Sequence, residues 1–211
     1  MLPTNDCVIH VVDDDAAFRR SLAFLLESVG WRVASHASAE DYLAACADTA
    51  EAAAGCLVLD IRMPTMSGLE LQERLRASGA QPPIVFITGH GDVELAVQAM
   101  KHGACDFLQK PFKDQALLDA VAAAVRRGAE DRTRCAQRDE ALARLGRLSP
   151  REMEVARLVA RGLPNKLVAR ELEISEKTVH VHRQHVMEKA ETGSAAELAR
   201  LMLRADPAAL D

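Results

Sequence analysis

Aromatic residues are scarce: 3% of the 211-residue chain, with one Trp and one Tyr. A surface that stacks the bases of single-stranded nucleic acid needs more rings than this. No apolar run approaches the ~20 residues that cross a bilayer. The opening "MLPTNDCVIH" has no basic stretch ahead of a hydrophobic one. Neither a membrane span nor an export signal is expected, and a cytoplasmic protein is. The five cysteines, Cys7, Cys46, Cys56, Cys105 and Cys135, form no CxxC pair and are odd in number. Cys7, Cys56 and Cys105 sit in or beside apolar runs and are expected as small buried hydrophobes rather than redox switches.

What is present suits two small globular domains, with 49% apolar and 27% charged residues. The charge is uneven. Residues 1–126 carry 10 basic against 17 acidic residues, and residues 146–211 carry 11 against 10 plus three histidines. An acidic half joined to a near-neutral one suggests two jobs.

Along residues 7–128, short β-branched runs alternate with helical patterns. "CVIHVV", "WRVASH", "GCLVLD", "PPIVFIT" and "CDFLQ" are strand-like. Between and after them lie 15–30, 38–47, 68–79, 92–103 and 112–128, with apolar residues at helical spacing. Five βα units predict a parallel sheet covered on both faces. Residues 127–147 are charged and lack Pro, so they extend the last helix or form a loose linker. Spaced opposite charges favour the helix. Four helical segments and no strand follow, over 148–211.

The strand ends carry the chemistry. Asp13 and Asp14 end the first strand, Asp60 the third and Thr88 the fourth, while Lys110 follows the fifth. In a parallel sheet these ends share one rim, where open α/β sheets bind ligands. Taken singly, each has a plain reading: a helix start, a turn residue, a surface lysine. Together, clustered carboxylates call for a cation, and oxygen ligands without Cys or His suit Mg²⁺. Asp60 could then attack phosphorus and form an aspartyl-phosphate, with Lys110 and Thr88 on the phosphoryl oxygens. "TGHGD" is a weak phosphate-loop signal and is expected as a loop.

"VVDDD", "LDIRMPTMSG", "FITGHGD" and "DFLQKPF" resemble, in this order and spacing, the receiver domain of two-component response regulators, nearest the FixJ branch. The resemblance covers about residues 5–128 and implies a flavodoxin-like (βα)5 doubly wound fold over 1–126. It implies that Asp60 takes phosphate from a sensor histidine kinase. It also implies that Asp14, Asp60 and the main-chain carbonyl of Arg62 hold Mg²⁺, with Asp13 acting mainly through water. Thr88 and Phe107 match the family's switch pair, and Lys110–Pro111 its cis peptide. Asp15 stands where Glu is common, and Phe107 where many receivers carry Tyr.

In "LSPREMEVARLVARGLPNKLVARELEISEKTVHVHRQHVMEKA", Ser149 and Glu152 make a capping box with Pro150 at the first helical position. In the last helix of this stretch Val179, Val186 and Ala190 share one side. Lys177, His180, Val181, Gln184 and Glu188 share the other. His180, His182 and His185 lack the companions of a metal site. The segment resembles the LuxR-type helix-turn-helix of the FixJ/NarL family over about 148–204, which implies double-stranded promoter DNA as a partner. Lys166, Lys177, Thr178, His182 and Arg183 are candidate phosphate contacts, and His180, Val181 and Gln184 candidate base contacts. Ala190 and Glu191 depart from the family pattern and suggest looser packing of the last helix. The resemblance further implies a homodimer on phosphorylation, through a face including Val93, Val97, Lys101 and His102, and contact with RNA polymerase during activation.

Two other classes fit less well. A phosphatase using Asp60 would show D-x-D, whereas Ile61 and Arg62 follow here, and no cap domain is present. A phosphorylation-independent adaptor would not need Asp13, Asp14, Asp60, Thr88 and Lys110 together.

Overall fold

The computed structural model describes residues 7–46, 55–79, 81–89 and 93–210. The first part runs β1 (Val8–Val12), α1 (Ala16–Ser28), β2 (Arg32–His36), α2 (Ala39–Cys46), β3 (Cys56–Asp60), α3 (Gly68–Ala77), β4 (Ile84–Thr88), α4 (Val93–Lys101) and β5 (Asp106–Gln109). A long α5 (Asp114–Leu145) follows, then α6 (Pro150–Ala160), α7 (Asn165–Glu171), α8 (Glu176–Lys189) and α9 (Ala195–Ala205). The chain divides into two compact units, one ending at Asp131 and one starting at Arg132.

In the first unit five parallel strands pair in the order β2-β1-β3-β4-β5. Alternation along each strand sorts the core into two layers. Ile9 and Val11 meet Leu22 and Leu26 of α1 and Leu117 and Val121 of α5 on one face. Val12, Leu57, Leu59 and Phe86 meet Tyr42, Leu71, Leu75 and Ala99 on the other. Every residue of β3 and β4 is buried, which is why those strands are unbroken apolar runs. Each fully buried Leu or Ile contributes about 1.5–3 kcal/mol. The strand order reverses between β1 and β3, and their carboxyl ends open the crevice that holds the site.

The segment 127–147 is, in the structure, mostly the second half of α5. Gly128 costs about 1 kcal/mol inside a helix and does not break it. Ala141 and Leu145 are buried with Val155, Val159, Val168, Val179, Val186 and Leu198 in the core of the second unit. The last turns of α5 therefore belong to the helical domain. Ala190 is fully buried in the same core, and Glu191 pairs with Arg147 and Arg144. The small Ala190 side chain is enclosed by this core, and the added acid Glu191 is matched by two arginines. Cys7 and Cys56 are buried and Cys105 half-buried, and burial pushes the Cys56 and Cys105 thiols up. Residues 90–92 of "TGHGD" and the Val93 side chain lie outside the described residues.

Candidate phosphoacceptor site and nucleic-acid interface

The acidic run splits by task. Asp15 caps α1, its carboxylate accepting the N–H groups of Ala17 and Phe18 at 2.8 and 3.1 Å. Those two bonds hold its carboxyl below the usual range. Asp13 is buried at 1% exposure and accepts the N–H of Asp15, two residues on, at 2.8 Å. Asp14, at the bend between β1 and α1, is exposed.

Asp60 is 5% exposed at the end of β3. Its Oδ2 accepts the Arg62 N–H at 3.0 Å. A Cβ on Gly68 would stand 2.4 Å from the Asp60 carbonyl oxygen. Only glycine lets the start of α3 press onto this strand end, and its N–H donates to Ile61 O at 3.0 Å.

Lys110 joins the two acids. Its Nζ donates to Asp13 Oδ2 at 2.8 Å and to Asp60 Oδ1 at 3.0 Å, and lies 3.9 Å from the centre of the Phe18 ring. The Lys110 N–H donates to Thr88 O at 2.7 Å, which fixes β5 beside the end of β4. The Lys110–Pro111 peptide is cis. Burial pushes the Asp60 carboxyl above its ordinary value, and the Asp13 charge adds to this; Lys110 and the Arg62 N–H oppose it. Burial by itself would lower Lys110, but bonds and charge from Asp13 and Asp60 outweigh it and raise the ammonium. Thr88 is buried at 1% exposure, and Phe107 is half-buried against the α2–α4 face of the core.

Two of the carboxylates, Asp13 and Asp60, meet the Lys110 ammonium here, and Asp14 is exposed. Among the described residues no three His, Cys, Asp or Glu side chains are gathered closely enough to hold a metal. Lys110 supplies the cation between Asp13 and Asp60. The donor set nevertheless fits Mg²⁺: hard carboxylate oxygens, one on a buried acid raised by burial and by its acidic neighbour, a burden that a further cation relieves.

In the second unit, Ser175 caps α8 through the Thr178 N–H at 3.1 Å, and Glu173 makes the preceding turn at φ 53°. Val179 and Val186 are buried; Lys177, Thr178, His180, Val181 and Gln184 are exposed on the same helix, as is Lys166 on α7. His182 and Arg183 are half-buried. Arg183 donates to Asn165 Oδ1 at 3.2 Å, tying α8 to α7. The Thr178 hydroxyl bonds Ser175 Oγ at 2.8 Å. Phe18, Gln72 and Asn165 were not singled out by the sequence reading, since each reads there as an ordinary helix position.

The chain resembles proteins with both halves in this order. The response regulator receiver domain family matches residues 9–122. The luxR family of bacterial regulatory proteins matches residues 146–202. Transcriptional regulatory protein FixJ of Azorhizobium caulinodans is 48% identical over 203 residues, covering 96% of this chain and 95% of its own. Response regulator protein TodT of Pseudomonas putida is 43% identical over 197 residues, with 93% and 86% covered. The solved structure of response regulator StyR superposes with a TM-score of 0.78 at 45% identity, covering 93% of this chain and 98% of StyR. Full-length FixJ from B. japonicum gives 0.59 at 45%, with 96% and 98% covered.

The chain belongs to the FixJ/NarL-type response regulators, a receiver domain followed by a LuxR-type helix-turn-helix. It is a two-component transcriptional regulator like FixJ and TodT, of a family of transcription factors rather than enzymes. A receiver implies a sensor kinase and typically uses Mg²⁺, and the helix-turn-helix implies DNA. No described helix is long and apolar enough to cross a membrane.

Proposed function

We propose that Asp60 is the phosphoacceptor, and that its phosphorylation turns a mainly monomeric chain into a dimer that binds two promoter half-sites. The observation that carries this is the Asp13–Lys110–Asp60 bridge on a buried strand end at the sheet's switch point. An Asp60 oxygen attacks the phosphorus of a kinase phosphohistidine in line. The new O–P bond forms as the N–P bond breaks, and the imidazole leaves with the electron pair. Lys110 holds Asp60 ionised and then takes a phosphoryl oxygen as a point charge. The Thr88 hydroxyl donates to another. Asp13, Asp14, Asp60 and the carbonyl of Arg62 would hold Mg²⁺, which when bound supplies charge against the phosphoryl oxygens. The kinase reaches this rim beside an open groove lined by Phe18, Phe24, Leu25 and Phe112. Phe24, 76% exposed, gives that partner an apolar foothold.

On DNA, α8 enters the major groove. His180, Val181 and Gln184 face base edges; Lys166, Lys177, Thr178, His182 and Arg183 face phosphates. Activation through RNA polymerase, in the cytoplasm, is the corollary. The test is incubation with acetyl phosphate and Mg²⁺, intact-mass analysis, and binding to genomic fragments selected by the labelled protein. One acyl-phosphate on Asp60 and tighter DNA binding are expected. Labelling elsewhere, or continuous phosphate release over many turnovers, overturns the reading.

A further inference from the structure

Gln72 lies on α3 at 4% exposure, beside a core layer that otherwise holds Leu71, Leu75, Ala99 and Ala104. Its Nε2 donates to the carbonyl oxygen of Ala99 on α4 at 3.2 Å. Its Oε1 has no hydrogen-bond partner among the described residues. Ala99 O also accepts the Ala104 N–H at 3.0 Å, and the Gly103 N–H meets Met100 O at 3.0 Å, with Gly103 at φ 93°. That pair of bonds is a Schellman closure. Gln72 therefore adds a third bond at the point where α4 ends. One residue on, Glu73 stands 4.0 Å from His102 Nδ1 on the same turn. The end of α4 is stapled to α3 by a side chain that the apolar layer does not need.

A half-satisfied amide in such a layer costs stability, and Met would fill the same volume without that cost. What the amide adds is position. α4 connects β4, which ends on Thr88, to β5, which carries Phe107. It lies between the two residues assigned to the switch.

We propose that Gln72 is a positioning residue: its bond to Ala99 holds α4 in the unphosphorylated arrangement and so sets the basal activity of the regulator. This rests on the switch described under Proposed function. A bond made in one state and weakened in the other biases the equilibrium by its net worth, which for a hydrogen bond is about threefold to tenfold. Removing it shifts the unphosphorylated protein toward the dimeric, DNA-binding arrangement and leaves phosphorylation less to do.

The test uses the full chain with Gln72→Met and, differing in shape, Gln72→Leu. Urea stability, sedimentation and binding to a selected genomic fragment are measured with and without acetyl phosphate and Mg²⁺. For both variants, affinity without phosphodonor should rise about threefold to tenfold. Affinity with phosphodonor should stay near wild type, and stability should be unchanged or higher. A merely structural glutamine would move stability and leave the ratio of the two affinities alone. If wild type responds to phosphodonor and both variants keep its ratio, Gln72 does not set the switch. If wild type itself does not respond, the switch fails and this inference with it.

Discussion

Lys189 on α8 donates to both oxygens of the Glu152 carboxylate on α6, at 2.9 and 2.7 Å. Glu152 is 4% exposed, and its Oε2 also accepts the Ser149 N–H at 2.8 Å. One side chain thus closes the capping box of α6 and pins the end of α8. Lys189 and the Ser149 N–H hold its carboxyl at about 2, against an ordinary 4.5.

Glu152→Gln should therefore destabilise the helical domain by about 1–2 kcal/mol, the scale of a lost cap plus a partly exposed ion pair. The folded-state pKa is depressed, so the stabilisation is fully present above pH 4.5 and is lost as pH falls toward about 2. Hydrogen exchange of α6–α9 amides between pH 7 and 3 checks this. The gap between wild type and variant should narrow toward the acid end; a constant gap would refute the assignment.

The pattern of strands and the chemistry of their ends were readable because both are local. Asp60 closes an apolar run, and "VVDDD" starts a helix. What escaped is long-range. Lys110 reaches Asp13 and Asp60 across 97 and 50 positions, so the sequence could place it on the rim but not between two particular carboxylates. Gln72 falls in "LELQERL", where it reads as the wet side of an amphipathic helix; α4 packing buries it. The spaced opposite charges after Gly128 favoured a continuing helix, as α5 shows to Leu145, but nothing local shows that Ala141 and Leu145 have a core to enter. Glu191 looked like a surplus acid because its arginines lie some forty residues upstream.

Gly68→Ala should cost about 2–3 kcal/mol, since a methyl 2.4 Å from the Asp60 carbonyl forces α3 or the strand end to move. The displaced carboxylate should also take phosphate more slowly. Urea unfolding and the acetyl phosphate labelling rate measure the two effects. Wild-type values for both would show that the close approach is not needed.

Asp60→Asn should abolish labelling and leave the receiver at least as stable at pH 7, by up to about 1 kcal/mol. The folded-state pKa of Asp60 is raised, so ionising it is a penalty present above that pKa and absent below the ordinary 3.8. Asn removes the penalty and keeps an acceptor for Lys110. The stability difference should close as pH falls below 3.8. A variant that unfolds at pH 7, or labels fully, contradicts the role given to Asp60.

Phe107→Ala should separate phosphate uptake from dimerisation. On the proposed switch, phosphoryl transfer to Asp60 would draw the Thr88 hydroxyl toward the new oxygens, and the ring of Phe107, half-buried on the neighbouring strand, would turn into the space behind it. That would rearrange the face of α4 on which Val97 and Met100 are each 46% exposed. Those apolar side chains are what a second copy would cover. With two helix-turn-helix units linked, the second half-site binds as an intramolecular event, and affinity for a paired site rises by about 10²-fold or more without new base contacts. Truncating a half-buried ring costs about 1–2 kcal/mol, which a receiver of this size tolerates. Labelling of Phe107→Ala should match wild type. Sedimentation should find it monomeric with or without phosphodonor, and the gain in affinity for a paired site should disappear. If the variant still dimerises on labelling, the signal leaves Asp60 by another path.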